Sequence, residues 1–259
     1  MPVGYSPDSE PLFNILDIQG LNPIKADVNT TSYGSVDGEF LTGTRVGKRN
    51  IVLTIGLNPD WADNTPSKLR RTLDAYFMTK QSCNLLITDD DLGILTILGI
   101  VESSEPSIFS KDMEQQVSLI CVDPYFRSYS SHIINGNVND PEITIDYPGN
   151  VDYGMVVGID FVSGASPTHI EIHAGDTTFK LDGAIEMDST HNLNVSSYPG
   201  LKYAIRLEET TFATDNLLHL LESDSQWLLF HPGSNPFEVT SDAGIQSWTL
   251  SYYDRYGSL

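Results

Sequence analysis

Basic residues are scarce in this chain. Its 259 residues hold 14 Lys and Arg against 35 Asp and Glu, a formal charge of −21. Unspecific nucleic-acid binding is excluded on that ground, because neutralising phosphates needs a basic surface. Cysteine is scarcer still: Cys83 and Cys121 are the only two. Both lie in apolar, strand-like stretches (CNLLIT and SLICV), which predicts small buried thiols rather than a disulfide or a metal centre. No apolar run approaches the roughly 18 residues of a membrane span. The opening MPVGYSPDSEPLF has no basic region and no apolar core, so it is not read as a secretory signal, and a cytoplasmic origin is expected. Nucleophile elbows, phosphate-cradling glycine loops and zinc-type cysteine pairs are missing too, and no catalytic residue, metal or cofactor is expected.

What is present reads as globular and β-rich. Hydrophobic residues make up 40% and aromatics 10% of the chain, enough for one large all-β domain or two ordinary ones. NIVLTIGL (50–57), CNLLITD (83–89), GILTILGIV (93–101) and EQQVSLICV (114–122) alternate apolar and polar residues between turn signals, which predicts strands. DDDLG (89–93) between two of them reads as a hairpin tip, since no second oxygen-rich segment supports a calcium loop. One helix is predicted from Pro66 to Lys80: Thr65 supplies an N-cap ahead of proline at the first helical position. Its Leu69, Leu73, Tyr76 and Phe77 fall on one stripe, with Leu and Phe expected inward.

The strand SLICV stops on Asp123-Pro124, followed at once by Tyr125 and Phe126. Proline cannot donate to a ladder, so the strand ends there. Beyond Ser128 the composition shifts. Residues 1–127 carry 10 basic and 17 acidic side chains, whereas 128–259 carry 4 and 18. SSHIINGNVNDPE (130–142) reads as a polar connector, and the strands that follow recur at the cadence of a β-sandwich. The acidity fits either a well-solvated surface or a charged partner, and composition does not separate the two.

Chemistry-bearing constellations are few. His169, Glu171 and His173 in HIEIH share one strand face, but the histidines would stand about 13 Å apart, too far for one ion on a straight strand. Glu208-Glu209 offers paired carboxylates without anything that marks a catalytic pair. Arg45, Lys48 and Arg49 form a small basic cluster in VGKRN, readable as a solvated hairpin turn or as a contact surface.

The order of these elements resembles the distal tail protein of siphovirus-type bacteriophages and prophages. The resemblance runs through the opening strands, the proline-capped helix, the hairpin and the strand closing on Asp-Pro-Tyr-Phe. It ends in WLLFHPGSNPFEV and the aromatic YYDRYGSL. It implies a mainly β protein: a ring-forming domain with one helix over 1–130 and a galectin-like β-sandwich over 131–259. It also implies a structural baseplate hub, a homohexameric ring joining the major tail tube protein to the tail-associated hub protein and receptor-binding proteins. The implied location is the virion tail tip, after assembly in the host cytoplasm. On that reading Arg45, Lys48 and Arg49 lie near the ring interface, and Tyr125 and Phe126 wedge between the domains. The alternative is a carbohydrate-binding module or host-adhesion protein. Against sugar binding, Phe237 stands after Asn235-Pro236 where a galectin signature has arginine.

Overall fold

A computed structural model of the protein describes residues 11–35, 37–107, 113–137, 140–162, 164–187 and 190–259. The first ten residues, part of the segment read as lacking a signal, lie outside these. The chain divides into two compact units. The first comprises the chain up to Phe126 together with Gly257–Leu259, and the second is Arg127–Tyr256.

The first unit carries strands β1 (Phe13–Gln19), β2 (Ala26–Thr31), β3 (Phe40–Val46) and β4 (Arg49–Leu57), then helix α1 (Pro66–Tyr76). Strands β5 (Ser82–Asp89), β6 (Gly93–Pro106) and β7 (Glu114–Cys121) follow. An antiparallel sheet runs in the order β1-β4-β7-β6-β5, while β2 and β3 pair only with each other in a separate hairpin. Alternation does the sorting. Ile51, Leu53 and Ile55 of β4, Leu95 and Ile97 of β6, and Val117 and Leu119 of β7 are buried with Leu69 and Leu73 of α1.

The helix begins as read, with the Thr65 hydroxyl accepting the Lys68 N–H at 3.4 Å and Pro66 in the first turn. It ends at Tyr76, a turn earlier than expected, and Tyr76 faces solvent with Phe77 half-buried. Only Leu69 and Leu73 of the predicted stripe reach the core. The DDDLG tip is a tight turn in which the Asp89 carboxylate accepts the N–H groups of Asp91 and Leu92.

The second unit contains β8 (Phe126–Ser128), which begins on the last residue of the first unit, β9 (His132–Asn137), β10 (Ile143–Tyr147), β11 (Met155–Phe161) and β12 (His169–Ala174). It continues through β13 (Thr177–Asp182), β14 (His191–Tyr198), β15 (Leu201–Glu208) and β16 (Thr214–Asn216). The last strands are β17 (Gly233–Ser241), β18 (Ile245–Tyr252) and β19 (Arg255–Tyr256). Two antiparallel sheets, β10-β17-β12-β13 and β16-β15-β14-β11-β18-β9, share one core, which includes Phe161, Phe179, Phe230, Phe237, Trp248 and Tyr252.

The stretch read as a connector at 130–142 contains a strand instead. β9 pairs with β18 along six residues, Ser247↔Asn137 through Tyr252↔His132. Its Gly136 is required by close approach, because a Cβ there would come within 2.1 Å of the Trp248 ring.

Candidate functional site

The first unit holds its apolar surface in two ways. Inside, β4, β6 and β7 bury theirs. Outside, large apolar side chains remain open at several places, among them β1 (Ile15, Leu16), the β2–β3 hairpin and the β5–β6 face. Every residue of β2 is exposed, and the hairpin it forms with β3 presents Val28, Tyr33, Phe40 and Leu41 to solvent. The outer face of β5 and β6 presents Leu86, Ile94, Leu98 and Ile100. Cross-strand register explains this last patch: Asn84 stands opposite Leu98, Ser82 opposite Ile100 and Thr88 opposite Ile94, all on the face away from the core. Exposed large apolar side chains grouped on one element are the kind of surface that interaction sites present.

The basic cluster VGKRN does not act as one patch. Arg45 and Lys48 are exposed, and Arg45 meets Asp27 across the hairpin at 3.3 Å, with both side chains largely in solvent. Arg49, read with them at the ring interface, turns inward and is 2% exposed. Its guanidinium donates to the carbonyls of Pro124 (2.6 Å), Asn22 (2.9 Å), Gly257 (2.6 Å) and Gly20. The fork geometry of arginine lets one residue gather four carbonyls from three segments, which lysine would not match. Burial lowers the Arg49 pKa from its ordinary value.

The Asp-Pro-Tyr-Phe stretch takes part in the same node. Pro124 supplies one carbonyl, and the ring of buried Phe126 lies 4.5 Å from the guanidinium carbon. Tyr125 is half-buried beside it. The C-terminal residues are tied in as well, through Gly257 and through the Leu259 N–H donating to Leu21 at 3.2 Å. Gly20, with φ of 91°, packs so close to the Asn50 carbonyl that no side chain fits. Sequence spacing gave no sign of this node, since Arg49 and Gly257 are 208 positions apart.

Cys121 is buried and Cys83 half-buried, both as free thiols. Burial pushes the Cys121 thiol up to about 11 and raises that of Cys83, which leaves neither as a reactive thiolate at neutral pH.

In the second unit the HPGSNPF stretch is spent on its own turn. The Asn235 side chain is buried, accepting the His231 N–H at 3.0 Å and donating to the carbonyls of His231 and Gly233 at 2.7 and 2.8 Å. Phe237 is packed 5.0 Å from Trp248 in the core. His231 lies between two carboxylates, Asp152 at 3.0 Å and Asp176 at 2.8 Å, and the first of these does most to raise its pKa. Of the histidines read on HIEIH, His173 bonds the Thr178 hydroxyl at 2.8 Å, whereas His169 faces Glu171 and Glu222.

Among the described residues, no helix is long and apolar enough to cross a membrane. Residues 9–121 match the family model described as phage tail protein RIFT-related domain. No curated protein sequence matches the chain. Among solved structures, the Dit protein of phage SPP1, described as a paradigm of hub adsorption apparatus in phages infecting Gram-positive hosts, superposes with a TM-score of 0.68. The two share 15% identity over 94% of this chain and 93% of that one. A chain of the phage P2 baseplate, in its activated conformation with Ca, gives a TM-score of 0.53 at 7% identity, covering 96% of this chain and 92% of its own. Residues 9–121 thus match the phage tail protein RIFT-related domain family, and the chain as a whole shares the fold of the SPP1 Dit protein.

Proposed function

We propose that this protein is a structural hub of a phage tail baseplate. Six copies close into a ring through the first unit, joining the tail tube to the hub and receptor-binding proteins, and no catalytic step is involved. The observation that carries this reading is the tail-protein family match over the first unit together with a full-length fold likeness to a phage hub protein. The open apolar surfaces of the β2–β3 hairpin and the β5–β6 face support it, because association would cover side chains that a lone chain leaves in water. Head-to-tail closure uses two different patches on each copy, and two are present. Arg45 and Lys48, exposed beside the hairpin, then bias register by charge. The second unit, read as a galectin-like sandwich, projects an acidic surface to neighbouring baseplate proteins.

The test is assembly. The purified chain, alone and mixed with its tail tube protein, is followed by light scattering and negative-stain microscopy. Six-fold rings support the reading. Monomers under every condition, together with micromolar glycan binding lost in Trp227→Ala, would replace it with the carbohydrate-binding alternative.

A further inference from the structure

Three side chains from three neighbouring backbone segments converge on the outer face of the smaller sheet of the second unit. His169 on β12 stands directly opposite Asp182 on β13. Glu222 is drawn beside them by its N–H, which donates to the Lys180 carbonyl at 3.3 Å, and by the bridge between Leu181 and Leu221. One donor atom from each of the three lies within 4.8 Å of the others. We propose that His169, Asp182 and Glu222 bind a first-row divalent cation of the Zn²⁺ class.

Spacing is the first support. His169 Nδ1 is 3.4 Å from Glu222 Oε1, and its Nε2 is 3.6 Å from Glu171 Oε2. Both gaps exceed the 2.7–3.2 Å range of an N–H···O hydrogen bond. Two donors each about 2.1 Å from one tetrahedral ion stand about 3.4 Å apart. The pair is therefore loose as a hydrogen bond and well spaced as ligands.

Charge is the second. Glu171, Glu222 and Asp224 gather around one ammonium, Lys180, which is already held by Asp224 at 2.9 Å, and Asp182 adds a fourth carboxylate opposite His169. Four carboxylates against one committed cation leave a local negative excess that a divalent ion would offset. The donor set decides which ion. An imidazole nitrogen with two carboxylates suits zinc and its first-row neighbours, whereas calcium takes oxygen ligands alone.

Rigidity is the third. Ile170, Ile172, Phe179 and Leu181, alternating with the ligand positions on β12 and β13, are all buried, so the outward residues are held by a packed core. Three protein donors leave a position for water, and the ion would pin the Leu221–Ser225 segment to the sheet edge.

The experiment is calorimetric titration of the full chain, stripped with EDTA, with Zn²⁺, Mn²⁺ and Ca²⁺ in turn. The expected result is one Zn²⁺ per chain, with Ca²⁺ weaker by at least ~tenfold. His169→Ala and Asp182→Asn should each weaken Zn²⁺ binding by at least ~tenfold while the circular dichroism spectrum is unchanged, and His173→Ala should bind as the parent does. Zn²⁺ should also raise the melting temperature of the parent but not of His169→Ala. Absence of binding at about millimolar Zn²⁺, or binding that survives both substitutions as adventitious capture by the acidic surface, overturns the proposal.

Discussion

The two units treat apolar surface in opposite ways. Of the twenty-one large hydrophobic side chains that are exposed among the described residues, sixteen belong to the first unit and five to the second. The second unit instead closes two sheets over one core and surrounds it with acid. Trp248 and Tyr252 of β18 are each 5% exposed in that core, while Tyr129 and Phe212 remain in solvent. The first unit is less acidic and keeps a hairpin and one sheet face open. One unit leaves apolar surface in water and the other concentrates charge, the first a feature of surfaces that associate and the second of surfaces that stay solvated.

Core truncation should break the comparison most. Phe237→Ala empties a fully packed position in the second unit and should cost about 3–5 kcal/mol in urea unfolding. Leu98→Ala, an equally apolar residue on the open face of β6, should stay within about 0.5 kcal/mol. A similar cost at the two sites would mean that the face of β6 is covered within the lone chain.

Arg49→Ala comes next. It strips four carbonyls of their donor at a buried site, and about 3 kcal/mol is expected from the groups left unsatisfied. Arg49→Lys should recover only part of that, since an ammonium lacks the planar fork. Full recovery would show that charge alone holds the node.

His231 should give the second unit a modest pH dependence. Its pKa is raised in the folded state, chiefly by the hydrogen bond to Asp152, with Asp176 adding to it. The stabilisation is thus fully present below the unfolded value of about 6.5 and fades as pH rises through the higher folded value. With the site partly open to solvent, less than about 1 kcal/mol is at stake. Melting curves at either side of this window should converge in His231→Gln. An unchanged difference would assign the pH dependence elsewhere.

Arg45→Ala should have the smallest effect on folding, about 0.5 kcal/mol or less, because its pairing with Asp27 is exposed. If the ring reading holds, the same substitution shifts the salt dependence of assembly. Phe40→Ser and Leu41→Ser should leave the melting temperature nearly unchanged and prevent rings. Rings that persist in the double variant would remove the hairpin from the interface.

Legibility followed locality. β4, β5 and β7 could be read within a residue or two, because alternation is a property of adjacent positions. The Thr65-Pro66 start of α1 was equally plain. β9 and β14 were not read as strands. HIINGN and HNLNVSSY carry Asn, Ser and Gly, which signal loops unless neighbouring strands supply ladder partners. The fold class, the absence of a cysteine framework and the excess acidity of the second half came from the chain alone, since composition and period two survive any arrangement of the elements. The tertiary structure decided that Arg49 faces four carbonyls while Arg45 faces water. It also placed Glu222 beside His169, 53 positions away, and gave Gly257–Leu259 to the first unit. Whether a side chain meets solvent, carbonyl or carboxylate depends on segments far away along the chain, and local pattern does not record those meetings.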